Sequence, residues 1–163
     1  MTHTHSIIGI DPGLVSTGWG IIESTGSSLT FIDCGTIAPN TKAALSERLL
    51  ELYADLSRII TLYKPTSAAI EETFVTANGA STLKLGQARG ALIVTLASHQ
   101  LSVAEYATRT VKKALVGTGT ADKHQVSQMV GVLMPASRVA LAACKHDAAD
   151  ALAIAITHAH NVR

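Results

Sequence analysis

Ile7-Ile8-Gly9-Ile10-Asp11-Pro12-Gly13 reads as a short apolar strand that ends on an acid and breaks at a turn. A second run of the same kind follows at Ala68-Ala69-Ile70-Glu71. Near the C-terminus, Asp147 and Asp150 open an alanine-rich segment that runs to Ile156. A lone carboxylate in apolar surroundings is costly unless it is paired or binds a metal. Carboxylates that converge repel one another, and a divalent cation removes that repulsion. The pattern predicts a metal site if the fold brings these segments together.

Working outward from Asp11, the next two elements also read as strands, Gly18 to Ser24 and Leu29 to Ile37. Thr25-Gly26-Ser27-Ser28 forms the turn between them. Leu45, Leu49, Leu52, Leu56, Ile59 and Tyr63 recur at spacings of three and four, which predicts a helix with one buried face. Lys64-Pro65 stops it. Ser67 to Glu72 is expected as a buried strand, Thr73 to Gly79 as a loop, and Ala80 to about His99 as a second helix. That helix carries Gly86 and Gly90 on an unusually small face. It could pack against the core or against a partner subunit. Ser102 to Tyr106 reads as a fifth strand. Short helices follow around Thr108 to Val116 and Asp122 to Met134, and a last one begins near Asp147.

The order is then β-β-β-α-β-α-β-α-α-α. Three consecutive strands form a meander, and later strands arrive by crossovers and add in parallel. This predicts an α/β fold with a five-stranded mixed sheet flanked by helices. Sites in such sheets form at the carboxyl ends of parallel strands. Asp11 and Glu71 both occupy strand C-termini, so neighbouring parallel strands would put them on one edge.

The chain has 163 residues, 47% hydrophobic and 15% charged, which fits one globular domain over 1–163. Residues 1–5, with His3 and His5, are expected as a tail. No apolar run approaches a membrane span, and the N-terminus lacks the pattern of a signal peptide. Cys34 and Cys144 have no metal-like spacing and read as reduced thiols of a cytosolic protein. From Tyr106 to Arg163 there are seven basic residues against three acids, a balance of +4, while six against nine leaves −3 for the rest. A basic C-terminal third suits a polyanion, although a solvated face accounts for it equally well.

Each acid also has an ordinary role open to it. Asp11 before Pro12-Gly13 suits a turn, and Asp147 suits a helix N-cap. Neither role accounts for Asp150 in an otherwise apolar stretch. On a helix, Asp147 and Asp150 share one face, with Cβ atoms about 5–6 Å apart. Glu71 and Glu72 point to opposite faces of their strand. Glu71 is the stronger candidate, because it follows Ala69-Ile70 as Asp11 follows Ile10.

Together these features resemble the RuvC-type Holliday junction resolvases of bacteria. The matching stretches begin with Ile8-Gly9-Ile10-Asp11-Pro12-Gly13, Thr17-Gly18-Trp19-Gly20, and Ala69-Ile70-Glu71 with Phe74. They continue with Leu83-Lys84-Leu85-Gly86-Gln87-Ala88-Arg89-Gly90, Val111-Lys112, Lys123 with Gln125-Val126, and Asp147-Ala148-Ala149-Asp150-Ala151. The resemblance implies a ribonuclease H-like fold, with Asp11, Glu71, Asp147 and Asp150 as the catalytic, metal-binding set. It implies magnesium, replaceable by manganese, with two ions per active site. The reaction it implies is phosphodiester hydrolysis that leaves 5′-phosphate and 3′-hydroxyl ends. It also implies four-way junction DNA as substrate, a homodimer, RuvA and RuvB as partners, and a cytoplasmic location. Lys112 and Lys123 match DNA-contacting positions, with Arg109 and Lys113 beside them, and Phe74 matches an aromatic that stacks on a base. His146, next to Asp147, suits either a supporting group at the site or a surface histidine.

Three other readings compete. An actin-like phosphotransferase shares Gly9-Ile10-Asp11-Pro12-Gly13, but it needs a second domain that this length does not hold. A catalytically silent junction-binding protein would not need all four acids. A nuclease of the same fold acting on structured RNA would keep the acids, but the stretch Leu83 to Gly90 argues for the resolvase.

Overall fold

Period-two alternation along the strands decides which layer each side chain meets. The computed structural model describes residues 3–73, 75, 77–144 and 146–162. Strand β1 (Thr4–Asp11) pairs antiparallel with β2 (Thr17–Thr25), which pairs antiparallel with β3 (Ser28–Ile37). Helix α1 (Leu45–Tyr63) leads to β4 (Ser67–Glu71), and α2 (Gly79–Ser98) leads to β5 (Ser102–Tyr106). The sheet order is β3-β2-β1-β4-β5, with β1·β4 and β4·β5 parallel. This is the ribonuclease H-like α/β fold expected from the sequence. Four helices close the chain: α3 (Thr108–Val116), α4 (Lys123–Leu133), α5 (Ser137–Ala143) and α6 (His146–Asn161).

Two differences from the sequence reading have physical causes. Strand β1 reaches back to Thr4, and Thr4 and His5 face Thr25 and Ser24 across the ladder. The expected tail at residues 1–5 is therefore strand from Thr4 onwards, because β2 is long enough to pair with it. The second difference is α5. It spans seven residues and no side chain caps its N-terminus, so it left no recognisable start signal.

Helices cover both faces. On one face, Ile8, Ile10, Ile21, Ala68 and Ile70 pack with Leu52, Leu56, Ala88 and Leu92 of α1 and α2. On the other, Ile7, Ile22 and Ala69 pack with α6, whose residues from Ala148 to Ala159 are buried apart from Asp150. Helix α6 is enclosed on its outer side by Val111, Leu115, Val126 and Val130 of α3 and α4. A helix buried all round must be apolar all round, and small alanines let it sit close to the sheet. Lys64 adopts the left-handed conformation at φ 49 that ends α1.

Candidate active site

The alternation that sends Ile8, Ile10 and Ile70 toward α1 and α2 sends Asp11 and Glu71 the other way, toward α6. Ile10 is level with Ile70 in the parallel ladder, so Asp11 and Glu71 end neighbouring strands side by side. Beyond Asp11, the loop is closed by Thr17, which is fully buried. Its hydroxyl donates to the Gly13 carbonyl at 2.6 Å and accepts from the Gly13 N–H at 3.1 Å. Gly18 lies opposite Asp11 across the ladder, and a side chain there would collide with the Asp147 carbonyl, 1.9 Å from an ideal Cβ position. The bare backbone at Gly18 lets the start of α6 settle beside Asp11. Gly9 serves the same approach one step back, where a Cβ would lie 2.1 Å from the Ala151 carbonyl oxygen.

One carboxylate oxygen from each of Asp11, Asp147 and Asp150 lies within 4.8 Å of the others. Glu71 joins them from the end of β4, lining one cleft with Asp11 and Asp150, and its charge raises the Asp11 carboxyl. Helix α6 begins at His146, so Asp147 stands inside its first turn. Glu72 is exposed, and its N–H is spent on the Tyr106 carbonyl at 2.9 Å. His146 is exposed at the head of α6 and lowers the Asp150 pKa slightly by its charge.

Burial is the largest cause that pushes the Asp11 carboxyl up to about 8, and the charges of Glu71, Asp150 and Asp147 add to it. Asp150 is also raised, because burial outweighs the opposing pull of Lys123. The Lys123 ammonium stands 3.3 Å from the Asp150 carboxylate and is itself raised by that charge. An acidic group crowded this way, with Lys123 paired to only one of its carboxyls, has the donor set of a hard divalent cation. Asp11, Glu71 and Asp150 line a cleft of about 140 Å³ together with Thr108, Val111, Lys112, Lys123 and Val126.

The other residues expected from the sequence fall around this cleft. Lys112 lines it from α3. Arg109 and Lys113 are exposed on the same helix and do not line the cleft. Phe74 lies outside the described residues. Gly86 and Gly90 are exposed on α2 with nothing within 4 Å of where a Cβ would sit, so the small face is not packed on the core. Two residues that carried no signal in sequence pair far from the acids in the chain: the Tyr106 hydroxyl and Nδ1 of His158 lie 3.0 Å apart. No helix among the described residues is long and apolar enough to cross a membrane.

Comparisons with known proteins agree with this geometry. The family model for the crossover junction endodeoxyribonuclease RuvC matches residues 7–158. The RuvC of Azorhizobium caulinodans is 52% identical over 95% of this chain and 89% of its own length. Thermus thermophilus RuvC, solved in complex with a Holliday junction substrate, superposes with a TM-score of 0.88. It is 29% identical, over 98% of this chain and 95% of that one. The yeast mitochondrial Holliday junction resolvase shares the fold at a TM-score of 0.70 and 12% identity. A cluster of acids at the shared edge of β1, β4 and α6, on a chain matched almost from end to end, places this protein in the RuvC family of crossover junction endodeoxyribonucleases.

Proposed function

We propose that the chain resolves four-way DNA junctions by paired symmetric nicks, with Asp11, Glu71, Asp147 and Asp150 holding the divalent metal that the hydrolysis requires. The observation that carries this reading is the convergence of three aspartate oxygens within 4.8 Å, with Glu71 lining the same cleft as two of them. Magnesium is the ion, manganese its substitute, and two ions serve each site. A bound divalent cation there supplies Lewis-acid activation of water and stabilisation of the leaving 3′-oxygen.

The chain's own residues do the rest. The oxygens of the four carboxyls would fix where the cation sits, with Asp11 and Asp150, raised by burial, ionised when it is bound. Lys112, lining the cleft, faces the incoming phosphate and offsets the charge that builds on it. Lys123 holds Asp150 in place and, with a cation bound at the acids, would be released to meet a phosphate. Arg109 and Lys113 extend the basic face along α3, and Phe74 stacks on a base near the junction centre. Products carry 5′-phosphate and 3′-hydroxyl ends.

A junction has twofold symmetry, and two nicks at once need two sites, so the active form is a homodimer. RuvA and RuvB are its partners, and the bacterial cytoplasm is its compartment. The test is incubation of a synthetic four-way junction with protein and magnesium. Wild type leaves symmetric, ligatable nicks. Asp11→Asn and Asp150→Asn leave none yet still bind the junction. A wild-type protein that spares the junction and cuts structured RNA overturns the reading.

A further inference from the structure

The stretch Leu83-Lys84-Leu85-Gly86-Gln87-Ala88-Arg89-Gly90 belongs to α2, and none of it lines the acid cleft. One of its side chains nevertheless reaches the site. Arg89 is largely buried, with 17% of its side chain exposed, and it crosses from α2 to the ends of two strands. Its Nε donates to the backbone carbonyl of Glu71 at 2.9 Å. Its outer nitrogen pairs with the Glu105 carboxylate on β5.

The Glu71 carbonyl is the last of β4, where the ladder to the neighbouring strands runs out. The same peptide unit is held at its other end, because the Glu72 N–H donates to the Tyr106 carbonyl at 2.9 Å. Both polar atoms of the Glu71–Glu72 peptide are thus fixed, one by Arg89 and one by the edge of β5. Fixing that plane fixes ψ at Glu71, and with it the direction in which the Glu71 side chain leaves the backbone toward Asp11. Strand β4 ends at Glu71.

We propose that Arg89 is a positioning residue, whose grip on the Glu71 carbonyl aims the Glu71 carboxyl into the acid cluster. It touches neither metal nor DNA in this role. Glu105 neutralises the guanidinium, so the effect on Glu71 comes through geometry rather than net charge. Arginine suits the task because its planar fork serves two acceptors at once. Lysine has a single nitrogen on a flexible stem and cannot hold the same geometry. Groups that orient metal ligands typically matter about 10- to 100-fold in metal affinity or activity.

This inference rests on the proposed role of Glu71, and the experiment separates the two. Manganese binding to the DNA-free protein is measured by electron paramagnetic resonance. Junction cleavage is followed as kcat and KM. Junction affinity is measured in calcium, and thermal melting reports on folding. Arg89→Lys is expected to weaken manganese binding and lower kcat, each about 10-fold. Junction affinity and melting stay near wild type. Glu105→Gln keeps the bond from Nε to the carbonyl and is expected to leave manganese binding and kcat near wild type. Glu71→Gln abolishes cleavage. If Glu71→Gln cleaves normally, the role of Glu71 and the inference both fall. If Glu71→Gln is dead but Arg89→Lys binds manganese and cleaves as wild type, only the inference falls. Loss of junction affinity in step with kcat would make Arg89 a DNA contact. Equal damage from Glu105→Gln would make the ion pair, rather than the carbonyl bond, the cause, and either result overturns the proposal.

Discussion

Asp11 keeps its proton up to about pH 8 in the metal-free protein, against an ordinary value of 3.8. Burial leads, and three neighbouring acids add to it. The sign of the linkage follows directly. Between 3.8 and about 8 the folded protein binds more protons at Asp11 than the unfolded chain, so stability is highest below that window and falls as pH rises through it. Asp150 is raised as well and acts in the same direction. A divalent cation that replaces the proton should remove the penalty. The melting temperature of metal-free wild type is expected to fall relative to Asp11→Asn as pH rises across this window, and millimolar magnesium should restore it at the alkaline end. Parallel curves for the two proteins without metal would mean that Asp11 ionises normally. At this scale much of the site was legible. An acid at the end of an apolar run is visible in sequence, as at Asp11 and Glu71. The choice of Glu71 over Glu72 came from strand alternation together with its place after Ala69-Ile70, which matches that of Asp11 after Ile10. The Arg89 grip was not legible, because it depends on where α2 lies over β4 and β5, which no local pattern encodes.

Among the elements, α6 and the first two strands form the frame on which the acids depend. The helix crosses the sheet so closely that Gly9 and Gly18 meet its backbone, with ideal Cβ positions 2.1 and 1.9 Å from carbonyl oxygens. Overpacking at such a contact typically costs about 1–3 kcal/mol. Gly18→Ala should therefore lower the unfolding free energy measured in urea by an amount in that range, and the midpoint with it. It should also displace Asp147, whose carbonyl is the atom met, and weaken manganese binding. A variant with an unchanged midpoint would show that the spacing of helix and sheet is set elsewhere. The strands and the long helices were readable because each carries a clear period and a stop signal. Pro65 after the left-handed Lys64 is one such stop, while α4 carries a start signal, the capping box of Asp122 with Gln125. Helix α5 was missed for the opposite reason. It is seven residues long, its cap position is Ala136 with no side-chain cap, and two turns are too short to show a period. The start of β1 was misjudged because Thr4 and His5 are exposed polar residues, held in the sheet only by pairing with β2.

For the whole molecule, the open question is what covers the outer face of α2. Its inner face buries Ala88, Leu92, Thr95 and Leu96. On the opposite side Leu83, Gly86, Gly90 and Val94 form one stripe, with Leu83 65% and Val94 64% exposed. Two glycines in a helix interior cost about 1 kcal/mol each relative to alanine, and the open space around both leaves that cost without an offset inside the monomer. A second copy lying along the stripe would offset it, because glycine lets backbones approach closely. Such an isologous contact also gives the twofold arrangement that paired cutting of a symmetric junction requires. Val94→Asp places a charge at the C-terminal end of the stripe and away from the acid cleft. In sedimentation velocity, wild type is expected to run as a dimer and the variant as a monomer, with an unchanged far-ultraviolet spectrum. On a four-way junction, the variant should lose coordinated cutting, so that singly nicked junctions accumulate before linear products appear. A variant that sediments as a dimer and still cuts both strands together would move the interface off α2.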